Sequence, residues 1–138
     1  MRNTIAFLIL IWPILSTTVH AADLTVGQQV TAAQMRDTVL AKAVTQRIVE
    51  LCADFTADEA KLSARRDAVM AIAKTMFPSG KVFMEAAGIN ETAKFGEDLR
   101  RFFLDRGVEW NSPSKKYCEL AHALKAVGSP FGDYLSGR

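Results

Sequence analysis

The sequence predicts an all-α protein: a single small helical bundle of about five helices, tied by one disulfide. Three observations lead there. Apolar residues recur at helical spacing in successive segments whose starts and stops are written in capping residues, while no run alternates long enough for a strand. The chain has only two cysteines, Cys52 and Cys118. Its first residues have the layout of an export signal, so those cysteines meet an oxidising compartment.

The export segment comes first. Arg2 supplies a positive start, Ile5 to Leu15 is an uncharged apolar run, and Val19-His20-Ala21 places small residues at −3 and −1 of a cleavage site. The run is far short of the roughly 20 apolar residues a spanning helix needs. Cleavage after Ala21 is therefore expected, leaving no transmembrane segment and a protein of the periplasm or the medium. The organisation read from the chain is residues 1–21 signal, 22–30 flexible leader, and 31–138 helical domain.

Thr31 and Gln34 form a capping box for a first helix running to about Phe55. Leu40, Val44, Ile48, Leu51 and Phe55 fall on one arc of it, with Cys52 on the shoulder. Thr56 and Glu59 form a second box, and Leu62, Val69, Ile72, Ala73, Met76 and Phe77 give the next apolar face. Pro78 stops that helix. Ser79 caps a short third helix to Ala87, with Gly88 as its left-handed stop. Asn90 starts a fourth, whose Phe95, Leu99, Phe102 and Phe103 share a face before Gly107. Ser112-Pro113 starts a fifth, with Tyr117, Leu120, Leu124 and Val127 inward and Gly128 at the end. Cys118 lies off that arc, beside His122 and Lys125.

Two cysteines in an exported chain allow one intramolecular pairing. They stand 66 residues apart. Closing such a loop is worth roughly 4 kcal/mol on the chain-entropy model. That is a large share of the ~5–15 kcal/mol net stability of an ordinary domain.

Composition excludes several classes. The chain has 17 basic and 15 acidic residues, and Arg2 leaves with the signal. A balance so near zero offers no electrostatic case for nucleic acid. After cleavage His122 is the only histidine and Trp110 the only tryptophan. Cys52, Cys118 and His122 make three Cys/His donors, where a structural zinc site takes four ligands. No metal and no cofactor are expected. Cys118 and His122 share a helical face, as a nucleophile and its base would, but a disulfide removes the thiolate. Asp58-Glu59 and Glu97-Asp98 diverge by about 100° on a helix and do not converge on one substrate atom. No G-x-S-x-G elbow, P-loop or C-x-x-C-H sequence is present. Arg100, Arg101 and Arg106 around Phe102 and Phe103 read as helix-end charges beside core residues. Leu104 points away from the core face of its helix. Packing against a neighbouring helix is the favoured reading of Leu104; the other is that, together with Trp110, it marks an interaction surface.

The mature region resembles a family of small secreted two-cysteine helical proteins from alphaproteobacteria, a domain of unknown function. The resemblance runs from about Gln46 to Leu135 and is carried by Cys52, Tyr117-Cys118, Gly128-Ser129 and Tyr134-Leu135. Pro130-Phe131-Gly132 departs from the aliphatic ending of that pattern. The resemblance implies export and a helical fold, and brings no activity with it.

The functional expectation is a non-enzymatic periplasmic protein that binds a protein or cell-envelope component. The alternative is a small acid-responsive holdase chaperone, in which the 15 carboxylates would respond to low pH. An enzyme built on Cys118 and His122 would require a free thiol.

Overall fold

The computed structural model describes residues 23–138. The expected signal segment and its cleavage site lie outside the described residues. In chain order the elements are α1 (Val26–Leu51), β1 (Phe55–Ala57), α2 (Glu59–Met76), α3 (Gly80–Ala86), α4 (Thr92–Leu104), α5 (Ser114–Ala126), a 3-10 turn (Gly132–Tyr134) and β2 (Leu135–Gly137). Five helices and one disulfide make the small bundle that the sequence predicts.

The flexible leader assigned to 22–30 is corrected, because α1 begins at Val26. The chain holds two T-x-x-Q boxes six residues apart, and the helix uses the first. Thr25 Oγ1 accepts from the Gln28 amide at 3.2 Å, and the Thr25 amide donates to Gln28 Oε1 at 2.9 Å. Thr31 has become an interior residue whose hydroxyl donates to the Gly27 carbonyl. Tertiary contact favours the earlier start: Gln28 Nε2 donates to the Met76 carbonyl at the end of α2. The extra turn is thereby joined to a neighbour, and each added residue gains a helical bond.

At 26 residues and 1.5 Å per residue, α1 runs about 39 Å. It serves two cores in succession. Its first half sets Ala32 and Met35 against Val69, Ala73, Phe77, Phe83 and Ala87. Its second half sets Val44, Ile48 and Cys52 against Phe55, Phe103, Tyr117, Ala121, Leu124 and Leu135, among others. The side chains of Phe103 and Tyr117 are fully buried. Each such burial contributes about 1.5–3 kcal/mol, so the second core carries the heavier share of the aromatic packing.

Two short strands correct the expectation of none. Phe55–Ala57 pairs antiparallel with Leu135–Gly137, Thr56 facing Ser136. The pairing takes Phe55 and Thr56 out of the helices assigned to them. α1 stops at Leu51 with Cys52 extended, and the cap of α2 passes to Asp58, whose side chain accepts from the Lys61 amide. Burial of Phe55 at 3 % exposure explains the outcome. Its ring enters the second core from the strand, and the ladder satisfies the backbone groups a helix would otherwise have paired.

Other boundaries shift by a residue or two. α4 begins at Thr92 instead of Asn90, without a side-chain cap bond. Pro113 is the N-cap of α5 instead of its first residue. Ser112 instead closes the preceding turn, its hydroxyl accepting from the Glu109 amide at 2.9 Å. Ser79 caps α3 as expected. Ile72, Met76 and Val127, expected inward, stand exposed. Gly132 is buried because the 3-10 turn sits directly on α5. A Cβ there would lie 2.6 Å from the Leu124 carbonyl oxygen.

Candidate functional site

Three surface regions hold the chemistry-bearing residues. The first surrounds the disulfide. Cys52 is the C-cap of α1 and Cys118 stands near the start of α5. They are bonded, with Cα atoms 5.1 Å apart. Cys52 is fully buried and Cys118 partly so, which is what its place off the apolar arc of α5 predicts. His122, one turn on, packs its ring edge-on against Phe55 at 4.8 Å. Its Nε2 lies 3.9 Å from Asp54 Oδ2, both side chains being largely exposed. Asp54, Phe55, His122, Lys125 and Arg138 line an open hollow of about 530 Å³. With both sulfurs bonded, neither is a nucleophile in this state, so His122 has no thiol to activate.

The second region is the turn between α4 and α5. Leu104 ends α4 and is 56 % exposed; Trp110 is 41 % exposed. Between them the Gly107 amide donates to the Leu104 carbonyl and the Val108 amide to the Phe103 carbonyl. Gly107 has φ +74°, the left-handed conformation glycine adopts without penalty. Two side chains meet the indole, and two hold the backbone beside it. Arg47 lies 4.3 Å over it and Phe103 meets it edge-on at 6.2 Å. The Trp110 carbonyl accepts from Arg47 Nη2 and from the Tyr117 hydroxyl, both at 3.0 Å.

Arg47 is the residue that sequence reasoning missed here. It lies 63 positions from Trp110 in the chain, and only its place on the flank of the Val44–Ile48 face hinted at a partner. The Arg100, Arg101 and Arg106 group divides as helix-end residues do. Arg106 stacks on Phe102 and donates to its carbonyl at 2.9 Å, while Arg101 pairs with Glu97.

The third region is an apolar edge where the start of α1 meets the end of α2. Val26, Val30, Ile72 and Met76 are all exposed there, and the Met76 sulfur accepts from the Thr31 hydroxyl at 3.5 Å. Sequence periodicity placed Ile72 and Met76 in the core because they share the phase of Val69 and Ala73. Phe83 of α3 meets Phe77 at 5.0 Å, while Ile72 and Met76 remain exposed.

Farther along, Arg36 on α1 is paired with Asp98 on α4 and donates to the Ala87 carbonyl at 3.3 Å. Among the described residues, no helix is long and apolar enough to cross a membrane. No family model matches the chain, and neither a curated protein nor a solved structure is significantly similar to it.

Proposed function

We propose that this chain is an exported, non-enzymatic binding protein that engages a protein or cell-envelope component through the edge carrying Leu104 and Trp110. The support comes from Trp110. Its carbonyl is held by Arg47 and Tyr117 and its ring is met by Arg47 and Phe103, yet 41 % of the residue is presented to solvent. A tryptophan immobilised before contact loses little conformational freedom on binding, which is why such residues anchor interfaces. Leu104 extends the apolar surface at the other end of the turn. The disulfide supports export, since such bonds persist outside the reducing cytoplasm.

The test is site-specific photocrosslinking in the native host. A photoreactive residue at Leu104 should give a discrete adduct that Trp110→Ala abolishes. The same probe at Lys74, on the exposed face of α2, should not give that adduct. Identical adducts from both positions, or an adduct indifferent to Trp110→Ala, would refute this reading.

A second reading, an acid-responsive holdase, is favoured by the Arg36–Asp98 pair. It joins the long first helix to α4, and carboxylates lose their charge in strong acid. Release of α4 would uncover Phe102 and Phe103.

A further inference from the structure

We propose that the disulfide doubles as a masked metal site: once it is reduced, Cys52, Cys118, Asp54 and His122 bind one zinc ion. The Sγ atoms of both cysteines and a carboxylate oxygen of Asp54 lie within 4.8 Å of one another. His122 stands outside this group of three, its Nε2 3.9 Å from Asp54 Oδ2, and its exposed ring must turn inward to become the fourth donor. The residue types suit the ion. Two thiolates, an imidazole and a carboxylate are four donors of the kinds zinc takes in tetrahedral geometry. Counting only cysteine and histidine leaves the set one short, and Asp54 completes it.

Local structure brings the donors together. Cys118 and His122 are four residues apart on α5, hence on one face. Cys52 leaves α1 extended, and Asp54 is followed at once by β1, which fixes its direction. The Asp54 carbonyl accepts from the Arg138 amide at 2.9 Å, extending the two-stranded ladder. The sulfurs must open to about 3.8 Å, the separation set by 2.3 Å bonds in a tetrahedron. Rotation about the cysteine side chains supplies this without moving α1 from α5. Asp54 and His122 are exposed, so these two donors meet an ion from solvent directly.

The electron balance is simple. A dithiol gives two electrons and two protons to the sulfur–sulfur bond and leaves as its own disulfide, producing two thiols. Zinc then displaces one proton from each thiol to water and takes the thiolates as ligands. The ion replaces the lost covalent tie between the same two helices, so the fold keeps its long-range link.

The experiment uses the mature chain, reduced under anaerobic conditions and titrated with Co²⁺ as a spectroscopic stand-in for zinc. Expected are one equivalent bound, a thiolate-to-cobalt band in the near ultraviolet and the intense visible bands of tetrahedral cobalt, all lost on adding Zn²⁺. The oxidised chain should show none of them. His122→Ala and Asp54→Asn should each weaken binding at least about tenfold, the lower end of the loss from removing even an outer-shell partner. If reduction unfolds the chain, helical circular dichroism should return on adding zinc. No cobalt spectrum and no metal-dependent refolding would overturn the proposal. So would equal binding by the oxidised chain, or affinity unchanged in both single variants.

Discussion

Arg47 reaches from near the C-terminal end of α1 to the α4–α5 turn, donating to the Trp110 carbonyl at 3.0 Å while its guanidinium lies 4.3 Å over the indole. It also lies 5.5 Å over the Tyr117 ring and 3.6 Å from Glu50. One side chain thus fixes the turn that presents Trp110. Arg47→Ala should cost about 1–2 kcal/mol, from a lost charged hydrogen bond and a cation–π contact. Arg47→Lys should recover little, since an ammonium cannot both lie flat on the ring and reach the carbonyl. Trp110 is the one tryptophan of residues 22–138, so its fluorescence is a direct readout. Greater quenching by acrylamide in Arg47→Ala, with helicity unchanged, is the expected result.

The two capping boxes make a paired prediction. Thr25→Ala removes the acceptor for the Gln28 amide and should cost about 1 kcal/mol. Thr31→Ala removes a hydroxyl bonded inside the helix and should cost less. Amide exchange at residues 28–30 should quicken in the first variant and change little in the second.

How much of the molecule was legible in its residues depends on the range of the forces involved. α3 and its cap, the glycine stops and the Phe102–Phe103 face were readable because each is decided within a few residues. Cys52–Cys118 was readable across 66 residues because the chain offers no other intramolecular pair. The α1 start was ambiguous because two identical boxes compete, and only Met76, 48 positions from Gln28, separates them. Phe55–Ala57 read as helix because three residues carry no period, and their partner strand lies at the far end of the chain. Leu104 read more readily as packed against a neighbouring helix, and its 56 % exposure overturns that; Trp110 was legible as a loop residue. Arg47 was not, since a residue on the flank of an apolar stripe has no local mark of the aromatic it will cover.

Gly132 tests how tightly the C-terminal turn is seated. A methyl group there meets the Leu124 carbonyl oxygen and carbon at 2.6 and 2.7 Å. These are backbone atoms of α5 and cannot swing aside. Gly132→Ala should cost about 1–3 kcal/mol, the range for overpacking, and should loosen β2 with it. Gly107→Ala meets open space but keeps φ +74°, so about 1 kcal/mol of backbone strain is expected. Urea melts of the two variants should show the larger loss for Gly132.

Removing the disulfide should be the most damaging of these changes. The double variant Cys52→Ala, Cys118→Ala leaves no stray thiol and should lower stability by roughly 4 kcal/mol on the loop-entropy estimate. A further loss would come from Cys52 itself, which is fully buried and leaves a small void as alanine. Urea titration at neutral pH measures the total. A loss below about 1 kcal/mol would mean that the second core holds α1 to α5 without covalent help.

Acid provides the final test, because the helices are charged differently along α1. Arg36 pairs with Asp98 across to α4, whereas the remaining carboxylate pairs with lysine or arginine are between residues at most four apart on the chain, among those described. Pairs of the second kind hold no two helices together and contribute only a few tenths of a kcal/mol. Strong acid, in which carboxylates as a class are mostly protonated at pH 2–3, should therefore loosen α4, still anchored by Phe102 and Phe103, before it unwinds any helix. The bond from Arg36 to the Ala87 carbonyl remains at 3.3 Å, so α3 should stay docked. A hydrophobic dye should then bind at pH 2–3 while far-ultraviolet dichroism is largely retained. Asp98→Asn should raise dye binding at neutral pH, because it leaves Arg36 without its partner on α4. Silence of the dye throughout that range would remove the holdase reading.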